Sequence, residues 1–440
     1  MSTLQAVPYR CPFATGQRVF VEHYASTLVG QGVTLALGAI TGILAARMLG
    51  PVARGEYAAV VLWPMAIATF LSFGINQAIA FNVGRRAFTV SEVATAALTV
   101  GLIQGALSIL IGLLVVPLAL AKYSPAAQRL GVACVLLTPA LILGGYPANL
   151  FQGRQDLLRF NVIRTAAPLI YFAGLVGLYF TRRASLTSVI VFHVAGWLIA
   201  LVLGSVMMCG ILKPRVRWNS SAIPRLFHFG IRTQVTNLAN YFNQRIDQLL
   251  LSLFVPPRQL GLYAVAVTLS TGVTVFPQAA GIVTFSRGSS QPREDAKATI
   301  GVSFRASLLW LVIGGSALYV FTPFLIRLLF GAAFEGSIVA CRILLPGTLF
   351  IGLNQVLYNG ASALGRPGLP SYGEGVSMAV TGIGLYLLVP RYGYIGAAII
   401  SSIAYSVSFL IMLVLVHRLF GLSLRFLLLG GRRRAGWMGN

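Results

Sequence analysis

Residues 227–254 read FHFGIRTQVTNLANYFNQRIDQLLLSLF, and the setting of this stretch decides what kind of protein the chain is. It is longer than the roughly 20 residues that cross a hydrocarbon core of about 30 Å. Its first two-thirds nevertheless carry Arg232, Thr233, Gln234, Thr236, Asn237, Asn240, Tyr241, Asn243, Gln244, Arg245, Asp247 and Gln248, a set that no lipid-exposed helix tolerates. At about 100° per residue these side chains fall within an arc slightly wider than half the circumference. Val235, Leu238, Ala239, Phe242, Ile246 and Leu249 take the remaining arc. The pattern predicts an amphipathic helix inside a membrane, with its polar arc facing a wet cavity rather than acyl chains.

The composition agrees. Hydrophobic residues make up 57% of the 440 and charged residues 10%, with a mean hydropathy of +0.82, whereas soluble domains are about a quarter charged. The chain is an all-α polytopic membrane protein. Its net charge of +24 comes almost entirely from arginine, since lysine occurs only at 122, 213 and 297. These charges sit between apolar spans with no aromatic-plus-basic module, so they point to membrane orientation and an anionic substrate, not to nucleic acid. Cys11, Cys134, Cys209 and Cys341 form no CxxC pattern, and His23, His193, His228 and His417 are scattered. No metal or other cofactor is expected from them. No GxxxxGK[ST] loop, paired carboxylates or Ser/His/Asp set is present, so the chain reads as a non-enzyme. The segment before Glu22 contains Pro8 and Pro12 and no apolar core, so the first span is expected to act as the insertion signal.

Apolar spans read at 24–46, 57–82, 93–121, 127–151, 161–180, 186–212, 227–254, 260–285, 300–321, 336–360, 369–389 and 394–417. That gives about twelve transmembrane helices, with Thr322–Gly331 as an interfacial turn. Assigning alternate loops to opposite sides places 21 basic residues on one side and ten on the other, with Arg232 and Arg245 inside a span. The positive-inside rule then makes both termini cytoplasmic.

The chain also repeats itself. Pro51, Gly55, Tyr57 and Ala58 recur 206 residues later as Pro257, Gly261, Tyr263 and Ala264. Val132-Ala133-Cys134 with Pro139, and Gly177-Leu178-Tyr179, recur at a lag of 207. Six spans per repeat is an even number, so the repeats share one orientation and are related by an axis along the membrane normal. Two six-helix lobes are expected, residues 1–212 and 225–440, joined by a basic cytoplasmic linker at 213–224.

Several residues could carry chemistry in such a molecule. The repeat aligns Gln31 of the first span with Asn237 of the seventh, and Tyr24, Thr27, Gln31, Thr34 and Thr41 form a polar stripe, so the two helices are expected to line one central cavity. A guanidinium at Arg245 suits a phosphate or carboxylate; a structural ion pair is the alternative. Arg232 is a second cation or an interfacial arginine reaching for water, and Arg164 either extends the cationic lining or anchors at the cytoplasmic phosphates. Asn237, Asn240, Tyr241, Gln244 and Gln248 suit sugar hydroxyls, as do Asn76, Gln77, Gln278, Asn354, Gln355 and Asn359. Each of these alone serves as well in helix–helix hydrogen bonding. Asp247 is the one acid on the polar helix, a proton- or cation-coupling candidate unless an arginine from another span neutralises it. Arg245 and Asp247 lie two residues apart, about 200° around the helix, and do not pair along it.

The run Gly30-Gln31, Leu44-Ala45-Ala46-Arg47-Met48-Leu49-Gly50-Pro51, Gly55-Glu56-Tyr57 and Asn76-Gln77 resembles the opening of Wzx-type polysaccharide flippases. These belong to the multidrug/oligosaccharidyl-lipid/polysaccharide exporter superfamily. Arg245-Ile246-Asp247-Gln248-Leu249-Leu250-Leu251 and Gly261-Leu262-Tyr263-Ala264 are similar to that family's seventh and eighth spans. The resemblance implies a V-shaped, two-lobed exporter, a monomer of the cytoplasmic (inner) membrane. It implies alternating access for a glycan on a polyprenyl pyrophosphate, with glycan polymerases as candidate partners. Two departures bear on function: Tyr24–Leu49 lacks the acid common in drug-exporting members, and the extra carboxy-terminal spans of peptidoglycan-precursor flippases have no counterpart. A cation-coupled multidrug exporter and a non-transporting scaffold for glycan polymerases are the alternative readings.

Overall fold

The computed structural model describes residues 16–213 and 215–430. These are overwhelmingly helical: α1 (Gly16–Leu71), α2 (Ile75–Gly84), α3 (Val90–Ala119), α4 (Pro125–Leu136), α5 (Thr138–Gly153), α6 (Leu157–Thr181), α7 (Leu186–Met207), α8 (Ala222–Phe254), α9 (Pro257–Thr271), α10 (Val275–Gly288), α11 (Arg293–Leu329), α12 (Ser337–Ala363), α13 (Pro370–Phe420) and α14 (Leu424–Leu429). Among the described residues, eight helical stretches are long and apolar enough to cross a membrane, or nine if α4 and α5, bent by 43°, form one span.

Two of these stretches are double. In α1 Gly50 takes φ 72° and ψ 174°, and in α13 Gly393 takes φ 58° and ψ −138°. These backbone states are open to glycine at little cost. Each break is followed by a fresh helix; at the first, Pro51 supplies the pre-set φ and the missing N–H that suit a helix start. The helix α8 has the length of a span but is too polar to qualify by hydropathy. Dividing α1 and α13 and admitting α8 makes the arrangement compatible with the twelve spans expected.

Large apolar side chains stand exposed along the outside, as on α3, where Leu102, Leu110, Leu114 and Leu118 project. In water such a surface would aggregate, whereas in a bilayer it is the lipid face. The chain is therefore a multi-pass membrane protein. Loop ends are tied by caps: Thr89 and Glu92 form a reciprocal capping box at the start of α3, and Ser124 caps α4.

One expectation is corrected. Thr322–Gly331 is not an interfacial turn, because α11 continues through Pro323 to Leu329. Proline has no N–H for the Tyr319 carbonyl four residues back. Arg342 of α12 supplies the donor instead, its Nε lying 3.2 Å from that oxygen. The turn comes later, through a short 3₁₀ segment at Ala332–Phe334.

The repeat segments pack against each other across the molecule. A Cβ on Gly55 would stand 1.8 Å from the Pro257 carbonyl oxygen, and one on Gly261 would stand 1.9 Å from the Pro51 oxygen. Trp63 Nε1 donates to Ser252 Oγ at 3.0 Å and Tyr123 donates to the Ser252 carbonyl at 3.0 Å. At this end the two halves of the chain are locked together.

Candidate functional site

The helix α8 crosses between the two halves, and its polar residues go to three different places. The first group docks on α1 and α2. Between them the chain breaks at Phe73 and Gly74, both with positive φ, which leaves carbonyls at the end of α1 without helical donors. Gln234, 5% exposed, fills that gap: its Nε2 donates to the Thr69 carbonyl at 2.7 Å and the Phe70 carbonyl at 3.3 Å, while its Oε1 accepts from Ser72 Oγ at 3.0 Å. Gln104 donates to the Ser72 carbonyl and accepts from Tyr146. Gly230 lies against Gly74, where a Cβ on Gly74 would come 2.1 Å from the Gly230 oxygen. Phe229 stacks on Phe81 with ring centroids 4.0 Å apart. Asn237 accepts from Gln77 Nε2 at 3.3 Å, and Tyr241 donates to the Leu62 carbonyl at 3.4 Å.

The second group turns into the carboxy-terminal half. Asp247 is 2% exposed and Gln248 5%. The Asp247 carboxylate accepts from Tyr263 Oη at 2.5 Å, from Ser401 Oγ at 3.5 Å and, at its other oxygen, from the Gln248 backbone N–H at 2.7 Å. Among the described residues no arginine or lysine pairs with it. Tyr263 and Ser401 escaped the sequence reading, although Tyr263 was visible as the repeat partner of Tyr57. In the amino-terminal half Tyr57 has a different partner, its hydroxyl lying 3.1 Å from His193 Nδ1. No cluster of metal-binding residues occurs among the described residues.

The third group is Arg232, Gln244 and Arg245, all exposed. Among the described residues none of them has a hydrogen bond or an ion pair. Arg245 lies within electrostatic reach of Tyr57 in one half and of Tyr405 and Asp247 in the other, and among the described residues it forms no ion pair, so it sits between the halves as a cation without a direct partner. Arg164 is exposed on α6 and stacks over Phe160 at 6.0 Å; no contact gathers it with the α8 arginines. Gln31 and Asn240 lie on α1 and α8, but their side chains fall outside the described residues.

Packing along α1 and α9 is uneven. On α1 a Cβ at Gly42 would touch Thr268 of α9 at 3.5 Å, whereas Gly38 and Gly32 have nothing within 4 Å, and neither does Gly272 beyond α9. The two helices thus touch at Gly42 and at Gly55. Chemically, α8 offers exposed guanidinium groups at Arg232 and Arg245 and an exposed amide at Gln244, with a buried carboxylate that has three donors two residues beyond Arg245.

The profile of the family described as polysaccharide biosynthesis protein matches residues 20–286. A probable low-salt glycan biosynthesis flippase of Haloferax volcanii is 21% identical over 187 residues, 42% of this chain and 40% of that protein. An uncharacterized membrane protein of Methanocaldococcus jannaschii is 22% identical over 212 residues, covering 47% and 42%. The chain therefore matches less than half the length of these curated relatives. Among solved structures, a lipid II flippase in an inward closed conformation superposes with a TM-score of 0.73 at 16% identity, covering 88% of this chain and 86% of that one. An inward-facing multidrug resistance MATE family transporter of the MOP superfamily gives 0.69 at 12% identity, covering 88% and 94%. At such identities the likeness is one of fold.

Proposed function

The chain belongs to the polysaccharide biosynthesis protein family, and from that premise we propose that it moves a polyprenyl-pyrophosphate-linked oligosaccharide across the cytoplasmic membrane. Alternating access is the mechanism. Two lobes, residues 1–212 and 225–440, rock about the linker at 213–224, while the glycan headgroup occupies the space between them and the prenyl chain stays in lipid. The observation that carries this reading is the exposed, unpaired Arg245 between the halves. A buried pyrophosphate is costly without a cationic partner, and an exposed arginine that forms no direct ion pair among the described residues has its donors free for phosphate oxygens. Arg232 and Arg164 are further contacts along the path, and the exposed Gln244 meets sugar hydroxyls. Asp247 is the coupling candidate, holding a proton or a small cation among Tyr263 and Ser401.

The protein acts as a monomeric transporter without a cofactor, both termini in the cytoplasm. The test is a reconstituted assay in which a fluorescent polyprenyl-pyrophosphate oligosaccharide is loaded into liposomes and scored by its exposure to an outside quencher or glycosidase. Protein-dependent translocation is expected. Absence of translocation, together with export of cationic dyes, would instead favour the drug exporter reading.

A further inference from the structure

A second basic site lies away from α8, where α1 meets the end of α6. A groove of about 500 Å³ opens there, with Arg47, Met48, Leu178, Tyr179, Phe180 and Arg182 in its wall. Arg182 caps α6 in a left-handed conformation, φ 54°. Its exposed guanidinium has no hydrogen-bond or ion-pair partner among the described residues. Arg47 is exposed as well, and its one bond runs from Nη1 to the Leu328 carbonyl of α11 at 3.0 Å. The acids at this end are already engaged: Glu335 pairs with Arg327 at 2.8 Å, and Glu56 accepts from the Ser124 N–H at 3.2 Å. The groove thus holds two guanidinium groups and no carboxylate. Its remaining wall is apolar and aromatic, with Phe180 78% and Tyr179 49% exposed, the residue types that sit at the boundary between acyl chains and headgroups.

We infer that this groove binds a lipid-borne phosphate, with Arg47 and Arg182 taking the phosphate oxygens and Leu178 and Phe180 packing against the first methylenes of the chain. Basic pockets between transmembrane helices recognise lipid headgroups in this way, and a guanidinium presents paired donors that match phosphate. The ligand is either a bulk phospholipid or the polyprenyl carrier, which share the phosphate and the chain. Arg47 is also a clasp between the halves, at the end where Gly55 and Gly261 meet. A phosphate in the groove competes with the Leu328 carbonyl for Arg47, so occupancy loosens that clasp.

The experiment is native mass spectrometry of the purified full-length protein, titrated separately with dioleoylphosphatidylglycerol and with undecaprenyl phosphate. Arg182→Gln is the main variant, because the Arg182 side chain has no hydrogen-bond or ion-pair partner among the described residues and its capping contact is made by the backbone. It is expected to weaken binding of at least one lipid about tenfold, with Arg182→Lys keeping most of the affinity and Arg47→Gln/Arg182→Gln losing it. Arg129→Gln, an exposed arginine outside the groove, should change nothing. A loss confined to phosphatidylglycerol assigns the groove to bulk lipid, and one confined to undecaprenyl phosphate assigns it to the carrier. Unchanged binding of both lipids in Arg182→Gln and in the double variant overturns the inference. The assay measures no transport, so its result stands apart from that of the flipping assay.

Discussion

Gly55 and Gly261 meet backbone to backbone, each against the helix start that belongs to the other. A Cβ on Gly55 would stand 1.8 Å from the Pro257 oxygen and 2.9 Å from the Gly261 nitrogen; one on Gly261 would stand 1.9 Å from the Pro51 oxygen and 3.0 Å from the Gly55 nitrogen. The near-equality of the two sets of distances is what an axis relating equivalent segments produces, since residue i then meets j as j meets i. The recurring segments are therefore also in contact, and that contact joins the halves at one end of the molecule.

Any side chain at either glycine must drive the two helix starts apart. Gly55→Ala and Gly261→Ala are each expected to cost about 1–3 kcal/mol in the state closed at this end, the usual range for overpacking. The check is thiol labelling of a cysteine placed at Ala264, buried at 4% exposure on the α9 segment, which should speed up in both variants. Equal labelling rates in the variants and the parent would show that the helix starts already separate freely.

Arg245 is expected to act on substrate rather than on folding, because it is exposed and unpaired. Arg245→Ala should leave the unfolding midpoint within about 0.5 kcal/mol of the parent. It should lower the translocation rate at least about tenfold, equivalent to about 1.4 kcal/mol. Arg245→Lys, which keeps the charge but loses the fork of donors, falls between the two. A full rate in Arg245→Ala sinks this role.

Asp247 calls for the opposite pattern. Its carboxylate is buried with three donors, so Tyr263→Phe removes a bond to a buried acid and is expected to destabilise by about 1–3 kcal/mol. Asp247→Asn keeps the shape, can still accept from Tyr263, and cannot hold a proton or a cation in the same way. It is expected to fold while transport loses its dependence on an imposed proton or sodium gradient. A gradient dependence that survives in Asp247→Asn assigns the coupling elsewhere.

The membrane class, the all-helical fold and the unusual polarity of α8 were legible in the sequence, because polarity inside an apolar stretch is a local signal. The destinations of the polar residues were not. Gln234 looks like Gln244 from sequence alone, yet one seals a helix break at Ser72–Gly74 and the other is exposed; the difference lies in a partner some 160 residues away. The polar arc predicted to face a single cavity is divided among an interface, a buried carboxylate site and open space. Similarly, Arg245 and Asp247 were separable by helix geometry, but Tyr263 and Ser401 became partners only through packing of α9 and α13.

The continuation of α11 through Pro323 shows why a local rule failed, and it yields a sharp test. Pro323 leaves the Tyr319 carbonyl without its helical donor, and Arg342 Nε takes that place at 3.2 Å while its guanidinium lies 5.0 Å from the Tyr319 ring centroid. Arg342→Leu strands the carbonyl and is expected to lower stability by about 1–2 kcal/mol. Pro323→Ala restores an N–H four residues from Tyr319, so adding it to Arg342→Leu should recover most of that loss, although the same change in the parent gains little. Denaturant unfolding of the four proteins gives the coupling energy directly. Additive effects, with no recovery in the double variant, would mean that Arg342 stabilises α11 through its stacking on Tyr319 and not through the carbonyl.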